Sequence, residues 1–219
     1  MLKLYGAMIS RAHRVVWMLK ELGVPYEHIE TSFLDGSTHR PDYLEVNPNG
    51  RVPAIDDDGL LMCESMAINL YLARKHRSAL SPDGLVEEGL ATQWSFWVVT
   101  EIEKPLLLCA ANRFFFAEAA RNGDEAAMAL ARLARPFKVL DAHLADRAHL
   151  LGERFTVADL NVAAVMTLIP LAGIDIAVWP HMQAWLAECL ERPAAADWKS
   201  VGFTLPRPRT PLGVLKMFV

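Results

Sequence analysis

A chain of 219 residues, 53% hydrophobic and 22% charged, has enough apolar material for one large or two small folded units and lies far from disordered compositions. Its formal charge of −4 and isoelectric point near 6.0 give no electrostatic reason for a polyanionic partner, so nucleic acid is not expected. No apolar run reaches the roughly 20 residues of a membrane span, since Glu103, Lys104 and Pro105 interrupt the stretch 102–111; no secretory pattern opens the chain, and a cytoplasmic protein without a membrane partner is expected.

Leu2 to Tyr5 predicts a short apolar strand, and Ala12, Val15, Val16, Leu19 and Leu22 recur at helical spacing up to Gly23. Tyr26 to Phe33 predicts a second strand, parallel to the first because a helix intervenes. From Asp35 to Pro41 the chain reads as loop, and Asn47-Pro48-Asn49-Gly50 is dense in turn residues. Pro53 to Asp57 and Leu60 to Cys63 flank Asp58-Gly59, a dipeptide that tolerates positive φ and predicts a hairpin. Ser65 begins another helix, with Ile68, Tyr71 and Leu72 on one face and a basic end from Arg74 to Arg77. The order βαβ, loop, ββα therefore defines a first, α/β domain over residues 1–77.

Pro, Gly, Ser and Asp gather in residues 78–85, the composition of a linker. Beyond it, residues 86–219 predict an all-helical domain with an irregular tail. Its helices run to about Glu118, from Asp124 to about Arg147, from Thr156 to about Leu168, and from about His181 to Arg192. Pro105 is expected to kink the first of them, and Pro206 to Pro211 to lie irregularly on the surface. Cys63, Cys109 and Cys189 show no metal or redox spacing and are expected to be buried, reduced thiols.

The segment Asn47-Pro-Asn-Gly-Arg-Val-Pro53, followed by Cys63-Glu64-Ser65, is the most informative. In isolation Val52-Pro53 is an ordinary turn, and Ser65 a helix cap. With Leu4-Tyr5-Gly6, the Asp58-Gly59 hairpin and Phe155-Thr156-Val157-Ala158-Asp159, the segment resembles the glutathione site of the cytosolic glutathione transferases, of the bacterial, theta-, phi- or nu-like kind that use a serine. The resemblance implies a thioredoxin-like first domain followed by a helical bundle, glutathione as co-substrate, no metal, and a homodimer.

The resemblance also assigns residues. If the Val52-Pro53 bond is cis, the Val52 backbone can pair with the cysteinyl part of glutathione as a short added strand. Glu64 would pair with the γ-glutamyl ammonium, and Ser65 with its helix start would receive the γ-glutamyl carboxylate. His39 and Arg51 match positions that contact the glycyl or thiol side. Ser10 would donate a hydrogen bond to the glutathione sulfur, lowering a thiol pKa that is ordinarily about 8.5; the alternative is a helix-capping serine. Ala7-Met8-Ile9-Ser10 departs from the Ser-Pro-x-Ser form of bacterial relatives, Tyr5 is a rival hydroxyl inside the strand, and the absence of a cysteine here argues against members that form mixed disulfides.

The expected activity is conjugation of the glutathione thiolate to a hydrophobic electrophile. Alternatives are a nu-like glutathione-dependent peroxidase or disulfide reductase, and a non-catalytic binding protein that kept the fold. Thr156 to Asp159 reads as a capping box, with Phe155 placed to pack on Leu160. Trp94 and Trp97, on one helix side with Glu101, read as core; Phe114-Phe115-Phe116 fits an acceptor pocket or a dimer seam equally well.

Overall fold

The computed structural model describes residues 1–196, so the expected irregular tail lies outside the described residues. β1 (Leu2–Tyr5) runs into α1 (Ala12–Leu22), which returns to β2 (Tyr26–Ile29), parallel to β1. β2 stops four residues short of the predicted end. β3 (Ala54–Asp57) and β4 (Leu60–Cys63) close an antiparallel hairpin, with Asp58 at a φ of 52° in its turn, and the sheet order is β2-β1-β3-β4. Two α-helices are absent from the sequence reading, the short Leu168–Ala172 and α2 (Pro41–Val46). Pro41 starts a helix instead of ending a loop, because the first helical position has no use for the N–H that proline lacks. Buried Tyr43 anchors this helix.

α3 (Ser65–Lys75) packs on α1, burying Ile68 and Leu72 as expected. α4 (Gly84–Trp97) then opens a nearly continuous helical rod. It passes through a π-helical stretch, Val98–Glu103, into α5 (Lys104–Ala110), and ends in a second π-helical stretch, Ala111–Phe115. The disturbance expected at Pro105 is taken up by the wider turns just before it, where hydrogen bonds reach back five residues. α6 (Gly123–His143), α7 (Val157–Met166), the short α8 (Leu168–Ala172) and α9 (Pro180–Glu191) complete the described helices.

α7 is the centre of the molecule: all ten of its residues are buried. Its start is held by the predicted capping box, in which Thr156 accepts from the Ala158 amide and Asp159 Oδ2 accepts from the Thr156 amide at 2.9 Å. The Asp159 Oδ1 atom accepts from the Leu150 amide at 2.8 Å and from Trp185 Nε1 at 3.0 Å. Phe155 stacks on Trp17 and lies beneath the Arg192 guanidinium, 3.9 Å from the ring centre. A polar thread also crosses from the strands' side to the helices: Asn69 of α3 donates to Asn161 of α7 at 2.8 Å, and Asn161 donates to Ser95 of α4 at 2.9 Å.

The aromatic groups resolve toward packing. Trp94 is buried, edge-on to Trp97 at 4.9 Å, while Phe115 and Phe116 are buried and Phe114 packs half-exposed against them. Cys109 and Cys189 are buried as expected. Cys63 is only half-buried, because β4 is an edge strand.

Candidate functional site

The site grows from three connections that meet at one end of the sheet. In the first, β1 leaves through Gly6 at a φ of 142° into the loop carrying Ser10. A side chain at Gly6 would put its Cβ 2.8 Å from Ala12 Cβ, 3.2 Å from Val52 Cβ and 3.5 Å from Ser10 Oγ, so only glycine lets these three approach. Ser10 is nearly buried and its hydroxyl is engaged twice: it donates to the Ala7 carbonyl at 2.7 Å and accepts from the Ala12 amide at 3.1 Å. The rival hydroxyl, Tyr5, is directed to α2, where its ring meets Tyr43 at 5.9 Å.

The second connection runs from α2 into β3. Tyr43 and the Asn47 amide both donate to the Arg51 carbonyl at 2.6 Å, which pins the chain just before a cis Val52-Pro53 bond. Pro53 is buried and Val52 half-buried. Among the described residues, neither the N–H nor the C=O of Val52 has a hydrogen-bond partner, which is the condition of an edge ready to receive an extended peptide. Gly50, at a φ of 60°, lies against the Thr38 carbonyl and the His39 ring. His39 is exposed, with Thr38 Oγ1 at 3.0 Å from its Nδ1, and Arg51 is exposed too.

The third connection is β4 to α3. Ala54 is paired in register with Cys63, so Glu64 and Ser65 follow directly beside the Val52-Pro53 bend. Glu64 is exposed at a φ of 70°, and Ser65 is buried at the first position of α3. The structure thus brings Ser10, Val52, Pro53, Glu64 and Ser65 to one end of the sheet, with His39 and Arg51 on the adjoining turn.

Sequence reasoning missed the charged floor beneath Ser65. Arg14 of α1 is 2% exposed; its Nη2 donates to Glu103 Oε1 at 2.7 Å, and its Nη1 lies 3.5 Å from Ser65 Oγ. Arg11 Nε donates to the same Glu103 oxygen at 2.6 Å. Burial alone would raise the Glu103 pKa, yet attraction to Arg14 and Arg11 outweighs it and holds the carboxyl at about 2. The signal available in the sequence was an arginine set among the apolar positions of α1; its partner lies 89 residues away.

His13 is the other missed group. Its Nδ1 meets the Ser10 carbonyl at 2.8 Å and its Nε2 the Ala164 carbonyl of α7 at 3.2 Å. Burial, reinforced by the Arg14 charge, lowers its pKa to about 4, so the ring is neutral at neutral pH. A neutral ring donates through one nitrogen only; the Thr167 hydroxyl, 3.5 Å from Nε2, can serve the other.

Comparison with known proteins falls on both halves of the chain. Residues 1–74 match the family described as glutathione S-transferase, N-terminal domain, and residues 101–193 match glutathione S-transferase, C-terminal domain. Glutathione S-transferase 3 of Zea mays is 33% identical, over 88% of this chain and 90% of that protein. The disulfide-bond oxidoreductase YfcG of Escherichia coli is 30% identical, over 90% and 94%. Among solved structures, the theta class glutathione S-transferase of Xanthomonas axonopodis pv. citri with glutathione bound is 29% identical with a TM-score of 0.84, covering 93% of this chain and 98% of that one. Glutathione S-transferase I from maize, in complex with an atrazine glutathione conjugate, is 27% identical with a TM-score of 0.83, covering 94% and 99%.

Proposed function

This chain belongs to the glutathione S-transferase family and is a glutathione transferase; on that premise we propose that it joins the glutathione thiolate to an apolar electrophile, with Ser10 as the sulfur's hydrogen-bond donor. The observation that carries this reading is the convergence at Gly6, where the absent side chain leaves Ser10 Oγ and Val52 around a common point. Glutathione lies as a short strand on the free Val52 backbone groups, beside buried Pro53, its γ-glutamyl ammonium toward Glu64 and its carboxylate toward Ser65 and the start of α3. His39 and Arg51, on the adjoining exposed turn, serve the glycyl end.

The hydrogen bonds of Ser10 suit it to recognise the anion. Its single proton rests on the Ala7 carbonyl, a neutral acceptor, while the Ala12 amide polarises the oxygen. A thiolate is the stronger acceptor, since bonds to an ionised group are roughly twice as strong as neutral ones. The proton therefore turns from the carbonyl to the sulfur only when the sulfur is ionised, and this difference lowers the thiol pKa.

Glutathione conjugation to an aryl halide such as 1-chloro-2,4-dinitrobenzene, followed in wild type and Ser10→Ala, tests the reading. Ser10→Ala should lose about 100-fold in kcat while glutathione affinity stays within about two-fold, and the near-ultraviolet thiolate absorbance of the bound complex should appear only at higher pH. Unchanged turnover and thiolate titration in Ser10→Ala would remove the role of Ser10.

Its 30% identity with a disulfide-bond oxidoreductase supports a second reading, glutathione-dependent reduction; faster turnover with a hydroperoxide or mixed disulfide than with any aryl halide would select it. We further propose a division at residues 78–85 and a homodimer seated on the outer stripe of α4, where Leu85, Val86 and Phe96 are exposed. Sedimentation of wild type as a monomer would exclude that seat. A cytoplasmic location is part of the same proposal; no described helix is long and apolar enough to cross a membrane.

A further inference from the structure

We propose that His13 is a positioning residue for the reaction: its imidazole holds the Ser10 carbonyl and ties it to the end of α7, fixing where the Ser10 hydroxyl meets the glutathione sulfur. The inference rests on the reading that Ser10 donates to that sulfur.

Ser10 is held on one side by a single acceptor. Its amide and its hydroxyl both donate to the Ala7 carbonyl, at 2.9 and 2.7 Å. On the other side, its own carbonyl accepts from the His13 amide at 3.3 Å and meets the His13 Nδ1 atom at 2.8 Å. The ring is the closer partner. That carbonyl belongs to the peptide plane between Ser10 and Arg11, and one peptide further on comes the Ala12 amide, which donates to Ser10 Oγ at 3.1 Å. Turning the plane would therefore carry the Ala12 amide away from the hydroxyl and change the direction in which Ser10 presents its proton.

An imidazole suits this place because its two nitrogens sit on different sides of a rigid ring. While Nδ1 faces Ser10, Nε2 lies 3.2 Å from the Ala164 carbonyl and 3.5 Å from the Thr167 hydroxyl, which itself donates to Ala164 at 2.8 Å. All ten residues of α7 are buried, so the ring refers Ser10 to the most closely packed element of the helical domain, 151 residues away in the chain. The neutral ring has one N–H, and the shorter contact takes it. A proton on Nδ1 gives the Ser10 carbonyl a donor, whereas a proton on Nε2 would set two lone pairs against each other at 2.8 Å.

Two substitutions divide the ring. Asn places its amide N–H near the position of Nδ1 and keeps the bond to Ser10; Gln places its own near Nε2 and keeps only the contact with α7. The thiolate absorbance of bound glutathione is titrated, and kcat with the aryl halide measured, in the full chain and both variants. His13→Gln should lose about 10-fold in kcat, the worth of one hydrogen bond, and form the thiolate about one pH unit higher, with KM for glutathione within about two-fold. His13→Asn should recover most of both, to within about three-fold in kcat. Equal shifts in the two variants would mean that His13 only supports the fold, and no shift in either would mean that Ser10 needs no tie. Both outcomes overturn the proposal, as does a shift in His13→Asn alone. Ser10→Ala, titrated alongside, separates the failures: an unmoved thiolate there removes the reading of Ser10, and this proposal with it. Should a variant not fold, nitrogen NMR of the wild-type ring decides, with a proton on Nδ1 expected and one on Nε2 overturning the proposal.

Discussion

Asp159 and Glu103 are both carboxylates withdrawn from solvent, and their surroundings differ in kind. Asp159 accepts from the Leu150 and Thr156 amides, the Thr156 hydroxyl and the Trp185 indole, with His149 Nδ1 3.7 Å away. Apart from that imidazole its partners are neutral donors, and all lie in the helical half. Glu103 meets two arginines of α1 across the junction with the sheet and cannot neutralise both. A carboxylate saturated by neutral donors holds a fold in place, whereas one outnumbered by cations leaves a charge that a further anion can meet.

The widest gap between the two should appear in Asp159→Ala. Four buried donors would lose their acceptor, costing about 3–5 kcal/mol and lowering Tm by roughly 10 °C. Activity per folded molecule should stay within about two-fold of wild type; unaltered Tm with lost activity would merge the two clusters into one functional network.

Glu103 should betray its cationic surroundings by pH. Its pKa is held at about 2 against an ordinary 4.5, so the stability it contributes is present above pH 4.5 and is lost as pH falls toward 2, up to about 3 kcal/mol. Denaturant unfolding of wild type and Glu103→Gln should differ most above pH 4.5 and converge below it. A gap independent of pH would mean that packing, not charge, is what Glu103 provides.

His13 and His149 sharpen the contrast with smaller effects of opposite sign. The His13 pKa is lowered from 6.5 to about 4, so its contribution is present above pH 6.5 and lost as pH falls through 4, roughly 2 kcal/mol after allowing for partial exposure. His13→Gln should flatten that part of the acid limb. His149 is raised by Asp159, whose carboxylate lies 3.7 Å from its Nδ1, while burial and Arg192 oppose the rise and Glu188 adds to it. Its contribution is therefore present below pH 6.5 and lost as pH climbs through the raised value, and wild type and His149→Gln should converge in Tm on the alkaline side. Divergence there would show that the His149 ring stabilises as a neutral group.

What could be read from the residues in order was local. The βαβ-ββα succession, the Asp58-Gly59 hairpin and the Thr156 capping box all come from periodicity, turn dihedrals and bonds that span a few residues. The Val52-Pro53 and Glu64-Ser65 pairs were legible because the family pattern keeps them at fixed spacing. Pro41 shows the limit of such reading: the same residue ends a loop or begins a helix, and buried Tyr43 two positions on belongs with the helix.

The tertiary structure alone decided which charges meet. Arg14 lies between His13 and Val15 on α1, and nothing nearby reveals that Glu103, 89 residues later, ends a π-helical stretch facing it. It also decided that Phe115 and Phe116 fill the core, and that the Ser10 hydroxyl rests on Ala7. Side-chain spacing fixes an element and its buried face; the partner that a buried charge finds there depends on which helices pack across the junction, and that is settled only when the whole chain closes.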